Sequence, residues 1–500
     1  MLFVFALLCS LIHFSSCDIS DNDVFTDYLE ERQNIIDAEQ SAAFGSKIIL
    51  SDRERLANKI LTKYKHEELE RAFDDSAIFP PSKNFLRVSG DIEQSKVYRT
   101  IRKMPKGGVL HAHILAISSR DFILENVTRR SNLYMCRHWS SLQLKFFDEK
   151  GAANQSDCNW ELLARARTRD KSIDNEIAEA LSMYYVAEKD VDDTWQKFSS
   201  IFHFVKSLIT YRPVYEDFLY HTMEELYDDN VQFMEIRTSF TTLYELDGYQ
   251  HNYLRVAEID NKVVERFMKR HPDFLGAKWI YSPRRSIRRL TFVEHIERFR
   301  NLKRMHPDRI VGFDLVGQED KGPPLLHFAE ELLDLRNETN FYFHAGETNW
   351  SGQETDENLI DAVLLNAKRI GHGYTLIKHP KLMEMIRRRD VGIEICPISN
   401  QVLKLVRDLR NHPASFFFAE NMPVVVSNDD PGFWGARALS HDFYEAFVGI
   451  MSSRADLRAL KQLAINSISY SSLNDSERKF VLRVWERRWR DFISDVVSHG

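Results

Sequence analysis

At 500 residues the chain exceeds a typical single domain, which leaves room for one large barrel with additions or for two to three domains. Hydrophobic residues make up 43% and aromatic residues 12%, enough to bury a sizeable core, and the formal net charge of −7 removes any general electrostatic case for nucleic acid as a partner. Two basic runs, Arg284-Arg285-Ser286-Ile287-Arg288-Arg289 and Arg387-Arg388-Arg389, are local exceptions and read as solvated helix or loop faces.

From Leu2 to Phe14 the chain is nearly all apolar, followed by Ser15-Ser16-Cys17 and an acidic stretch from Asp18. This pattern reads as a signal peptide over 1–17, too short to span a membrane, and places the protein outside the cell. No Lys or Arg precedes the run, and no later stretch approaches membrane-spanning length. Signal removal deletes Cys9 and Cys17 and leaves Cys136, Cys158 and Cys396. A Cys136–Cys158 disulfide would staple a polar, poorly cored insert at about 125–185, whereas Cys396 sits in the apolar run Ile393-Glu394-Ile395-Cys396 and reads as a buried thiol. Glycosylation sequons fall at Asn126, Asn154, Asn337, Asn349 and Asn474.

Residues 18–100 read as a helical segment. Ser51-Asp52-Arg53-Glu54 can form a capping box, with Leu56, Ile60, Leu61, Tyr64 and Leu69 at helical spacing behind it, and Pro80-Pro81 breaks the pattern. Nothing there pairs a histidine with a carboxylate cluster, so the segment reads as a packing or dimerisation element that makes the protein a homodimer.

From residue 105 short apolar runs alternate with amphipathic stretches. Strands are expected at Gly108–Ala116, Val231–Phe240, Ala277–Ser282, Ile310–Gln318, Phe341–Glu347, Arg369–Leu376, Gly392–Pro397 and Pro423–Ser427. Eight strands alternating with helices over 101–500 predict an α/β fold, a (β/α)₈ barrel with an N-terminal helical extension and the insert after its first strand.

Unusual polar residues interrupt these strands near their ends. His111-Ala112-His113 lies on the first, where period-two alternation puts both imidazoles on one face. His344-Ala345-Gly346-Glu347 ends the fifth, Gly371-His372-Gly373 lies on the sixth and Asn428-Asp429-Asp430-Pro431 ends the eighth. C-terminal strand ends converge at the top of such a barrel, where imidazoles plus a carboxylate can hold zinc and leave one position for water.

These motifs, with Met104-Pro105-Lys106-Gly107-Gly108, Phe313-Asp314-Leu315-Val316-Gly317, Arg369-Ile370-Gly371-His372-Gly373, the run Cys396–Leu405 and Asp408-Leu409-Arg410-Asn411-His412-Pro413, resemble the adenosine-deaminase-related growth factors, the secreted branch of the adenosine deaminases. The resemblance covers about four fifths of the chain, from Met104 on. It implies that His111, His113, His344 and Asp429 ligate one zinc ion (Zn2+) per subunit, which lowers the pKa of water for attack on purine C6. It implies that His372 takes the water's proton, that Glu347 protonates purine N1, and that Gly346 and Asp430 hold the base. Trp195, in Trp195-Gln196-Lys197-Phe198, and Gly317 are implied to face the substrate.

Three positions depart from the pattern. Ile114 stands where an acid resembling a ribose contact is common, and Arg284 and Gln318 each stand where a histidine is usual. The motifs of the chemical machinery are retained, and these departures leave ribose recognition open. The leading reading is release of ammonia from adenosine or 2′-deoxyadenosine. A barrel hydrolase for another purine or amine, and a signalling protein acting through a cell-surface receptor or anionic glycan, are the alternatives.

Overall fold

Eight parallel strands occupy the centre of the chain: β1 (Gly107–Val109), β2 (Val231–Thr238), β3 (Gly276–Tyr281), β4 (Ile310–Phe313), β5 (Asn340–Phe341 and His344–Ala345), β6 (Arg369–His372), β7 (Gly392–Ile395) and β8 (Val424–Val426). In this computed structural model residues 20–138, 141–153, 158–184 and 190–499 are described. The signal-peptide reading of 1–17, with Cys9 and Cys17, and the sequon at Asn154 lie outside them.

The ladder runs β1-β2-β3-β4-β5 and continues β5-β6-β7-β8. Tyr342 donates its N–H to Phe313 O at 3.1 Å and Gly371 donates to Phe343 O at 2.8 Å, which carries β5 through its middle. The last seam closes where Ala112 pairs with Asp429 in parallel, with His113 N–H donating to Asp429 O at 3.3 Å and Asp429 N–H to His111 O at 3.1 Å. Every residue of β2, β3 and β4 is buried. Parallel strands covered on both faces need near-continuous apolar runs, which is why the sequence marks them as strands but not as amphipathic ones.

Outside the strands stand, among other helices, α1 (Ser20–Ala42), α2 (Asp52–Asp74), α3 (Val191–Ile209) and α4 (Asp475–His499). Ser51 caps α2 reciprocally, accepting from Glu54 N–H while the Glu54 carboxylate accepts from Ser51 N–H at 2.8 Å. α2 packs on α4, where Trp489 Nε1 donates to Glu54 at 2.7 Å, and from Phe44 onward the N-terminal segment shares one apolar core with the barrel. Pro80 and Pro81 open a short 3₁₀ turn, Pro80–Ser82. α1 differs: Phe25, Tyr28, Leu29 and Ile35 are exposed along it.

Between β1 and β2 lies a small antiparallel sheet of Leu133–His138, Ser141–Phe146 and Glu161–Leu162. Ser141–Phe146 alternates exposed and buried residues, so this sheet has one wet face and little core of its own, and the Cys136–Cys158 disulfide ties it. Cys396 is a buried free thiol. Asn126, Asn337, Asn349 and Asn474 are all exposed, although Asn474 Oδ1 is engaged in capping α4 through Glu477 N–H at 3.0 Å. Among the described residues no helix is long and apolar enough to cross a membrane.

Candidate active site

The motif residues meet at one mouth of the barrel. His111 and His113 follow β1, His344 opens the second part of β5, His372 ends β6, and Asp429 and Asp430 follow β8. His372 and Asp429 hold left-handed backbone, at φ 62° and 56°, a conformation costly for non-glycine residues and concentrated at functional sites. Gly371 keeps space beside them: a Cβ there would lie 2.9 Å from His111 Cε1.

Two histidines are fixed from behind by carboxylates. His111 Nδ1 lies 2.8 Å from Glu394 Oε2, and His344 Nδ1 lies 2.7 Å from Asp314 Oδ2. Arg237 donates to both acids, at 2.7 Å to Asp314 and 2.8 Å to Glu394, and Arg369 also donates to Glu394. Burial alone would raise the Glu394 carboxyl, but Arg237, Arg369 and His111 hold it well below the usual range. An ionised carboxylate accepts only, so each imidazole donates Nδ1–H and keeps a lone pair on Nε2 pointing into the site.

Asp429 faces His111 and His113. Its Oδ1 lies 3.2 Å from His111 Nε2 and 3.1 Å from His113 Nε2, and Oδ2 accepts from Ser399 Oγ at 2.7 Å. Two ligands on one ion at zinc-like bond lengths sit about 3.3 Å apart. His111 Nε2 and Asp429 Oδ1 are buried without a hydrogen-bond partner among the described residues, as metal-ligand atoms would be. Donor atoms of His111, His344, His372 and Asp429 fall within 4.8 Å of one another, and His113, Asp429 and Asp430 form an overlapping group. The residues therefore fit a metal ion, with imidazole nitrogens and one carboxylate as donors.

His372 is wired differently. Ala414 N–H donates to His412 Nδ1 at 3.0 Å, which leaves the His412 proton on Nε2, 2.9 Å from Asn400 Oδ1. That turns the Asn400 amide NH₂ toward His372 Nδ1 at 3.3 Å, and the neutral His372 ring must carry its proton on Nε2. It presents an N–H to the site, 3.6 Å from Glu347 Oε1, where a ligand would present a lone pair. This differs from the proton acceptor that the sequence resemblance implies.

The site opens into a cavity of about 290 Å³. Trp195, Phe198 and Phe202 of α3 form one wall, Arg284, Gly317 and Gln318 the other, and Glu347, Asp429 and Asp430 the floor. Glu319 accepts the backbone N–H of Glu347 at 2.9 Å and of Gly346 at 3.3 Å, and is itself held by Asn358 at 2.7 Å. Burial, then Asp429 and Glu319, push the Glu347 carboxyl up, and burial with Asp429 and Glu347 does the same to Asp430. Ile114 does not line the cavity: it is 7% exposed within the core, its N–H donating to Arg237 O at 3.1 Å.

The supporting residues Asp314, Glu394, Arg237, Arg369, Glu319, Asn400 and His412 carried no assigned role in the sequence. A faint signal existed for Glu394, a lone carboxylate inside Ile393–Ile395, and for the Glu235 and Arg237 pair within the apolar strand β2.

A closed parallel barrel with buried imidazoles and carboxylates at its C-terminal mouth has the form of a barrel hydrolase whose residues fit a metal ion. Comparison gives the particular one. The adenosine deaminase family profile matches residues 161–485, and that of the adenosine/AMP deaminase N-terminal region matches 3–101. An adenosine deaminase of Lutzomyia longipalpis is 43% identical over 474 residues, 93% of each chain, and human adenosine deaminase 2 is 39% identical over 481 residues, 94% of each. Among solved structures, an adenine deaminase from Arthrobacter aurescens aligns with a TM-score of 0.56 at 18% identity, covering 77% of this chain and 99% of that one. A Burkholderia ambifaria amidohydrolase with bound Zn aligns at 0.55 and 17%, covering 81% and 95%. At those identities the two structures share the fold. The chain belongs to the adenosine deaminase family.

Proposed function

We propose that this protein is a secreted, zinc-dependent enzyme that hydrolyses adenosine and 2′-deoxyadenosine to inosine and 2′-deoxyinosine with release of ammonia. One observation carries the reading: His111 and His113 bring Nε2 within 3.2 and 3.1 Å of Asp429 Oδ1, on the floor of a cavity that also holds His344 and Glu347. His111, His113, His344 and Asp429 would hold one zinc ion per subunit. When bound, the ion supplies Lewis acidity that makes water a nucleophile at neutral pH.

The chain's own groups do the rest. Glu347, kept protonated by burial and neighbouring acids, donates to purine N1 and makes C6 electrophilic. His372 directs its Nε2–H at the attacking water's oxygen and fixes its approach. Gly346 and Asp430 hold the base through its ring nitrogens, while Trp195, Gly317 and Arg284 bound the ribose end. The water oxygen bonds to C6 as the C6–amine bond breaks; one water proton passes to the departing amine, which leaves as ammonia, and the other returns to Glu347 in place of the proton given to N1.

The apolar run Leu2–Phe14, the disulfide and the exposed sequons support an extracellular location. The domain reading is a homodimerising segment at 18–100 on a deaminase barrel at 101–500 with an insert at about 125–185, the exposed apolar residues of α1 supporting the dimer. The test is an ultraviolet assay of purified protein on adenosine, 2′-deoxyadenosine and related purines, with and without chelator. Turnover abolished by chelator and restored by zinc is expected, and absence of purine turnover in zinc-loaded protein would refute the reading.

A further inference from the structure

The cavity divides by charge. Its floor carries the carboxylates Glu347, Asp429 and Asp430, all buried, whereas among the described residues the charged ones that line it toward solvent, Arg284 and Lys321, are both cations. Among the described residues Lys321 makes one ion pair, with Asp192 at 3.4 Å, and both side chains are well exposed, so that pair is screened and readily exchanged for another anion. Arg284 has no ion pair among the described residues.

Behind them sits Arg285, buried at the same wall. Its Nη2 donates to His344 O at 3.0 Å, but its Nε and Nη1 have no hydrogen-bond partner among the described residues, and the nearest carboxylate oxygen, Glu319 Oε2, is 3.8 Å from Nη1. Gly322 makes this placement possible, because a Cβ there would lie 2.6 Å from Arg285 Cδ. A buried guanidinium with unmade hydrogen bonds is costly, and a positive wall with unused donors is complementary to an anion.

On the deaminase reading the purine sits at the floor, which directs the end of the ribose farthest from the base toward this wall. We propose that the site accepts purine nucleosides bearing an anionic 5′ substituent, and that it favours a nucleoside 5′-monophosphate over the uncharged nucleoside. The inference rests on the deaminase reading for which end of the substrate lies deepest. The reaction is unchanged: water oxygen replaces the C6 amine, ammonia leaves, and the phosphate group takes no part in bond making.

Two measurements on the full-length, zinc-loaded protein test it. In the first, kcat/KM is measured for adenosine 5′-monophosphate and adenosine, in the native chain and in Arg284→Ala with Lys321→Ala. The expected ratio of the two exceeds one, falls with added salt, and falls at least about tenfold in the double variant. In the second, calorimetry compares inosine 5′-monophosphate with inosine, which reads anion recognition without turnover. Tighter binding of the monophosphate, lost in the variant, is expected. Adenosine turnover with no preference for either monophosphate would overturn this proposal and leave the deaminase reading standing. Tight monophosphate binding with no purine turnover would do the reverse.

Discussion

Asp314 holds His344 from behind, its Oδ2 lying 2.7 Å from the imidazole Nδ1 while its Oδ1 accepts the same residue's backbone N–H at 2.9 Å. Both the tautomer and the ring orientation of His344 therefore depend on a residue that does not face the cavity. Asp314→Asn removes the anionic acceptor and leaves Arg237 less well paired. Metal affinity is expected to fall about ten- to a hundredfold. Competition with a chelator of known affinity checks this, and native-like retention would show that Asp314 does not set the ligand.

The hydrogen-bond pattern separates His113 from His372. His113→Ala and Asp429→Ala should yield protein that binds no stoichiometric metal, whereas His372→Ala and Glu347→Gln should bind metal normally and lose at least about 10²-fold in turnover. Metal analysis beside a rate measurement decides. Full metal content in His113→Ala, with loss in His372→Ala, would exchange their roles.

Lys65 offers a pH test remote from the site. Its Nζ donates to Ser452 O and Ala455 O, both at 3.0 Å, and stands 4.0 Å from the centre of the Phe447 ring. Burial drives its pKa down to about 7, with Asp456 opposing. In the unfolded chain the value returns to about 10.4, so between these limits the unfolded state binds the extra proton and stability rises with pH. Relative to Lys65→Met, the native chain should gain roughly 2 kcal/mol between pH 7 and 9 in denaturant unfolding. Parallel stability curves for the two proteins would exclude a depressed Lys65.

Phe25, Tyr28 and Leu29 lie at helical spacing on α1 and are all exposed. A stripe of this kind on a long helix is costly in water unless covered, and a second copy of the same face covers it. Phe25→Glu with Leu29→Glu should convert a dimer to a monomer by light scattering. An unchanged size would place the dimer contact elsewhere or remove it.

Much of this protein was determined by sequence alone. Eight apolar runs separated by helical stretches specified a parallel barrel because strands buried on both faces must be apolar along their length. Ser51 and Glu54 specified the start of α2, since the two groups that satisfy each other lie three residues apart. Histidines and acids at strand ends marked the site because such residues are expensive there without a purpose. The tertiary structure decided what depends on contacts between strands distant in the chain. It buried Ile114 in the core, away from the ribose wall where its place in the motif had suggested a contact. It also chose the tautomers: Glu394 is 283 residues from His111, and His412 reaches His372 only through Asn400. Which ring nitrogen carries a proton follows from the partner behind it, and that partner exists only once the barrel has closed.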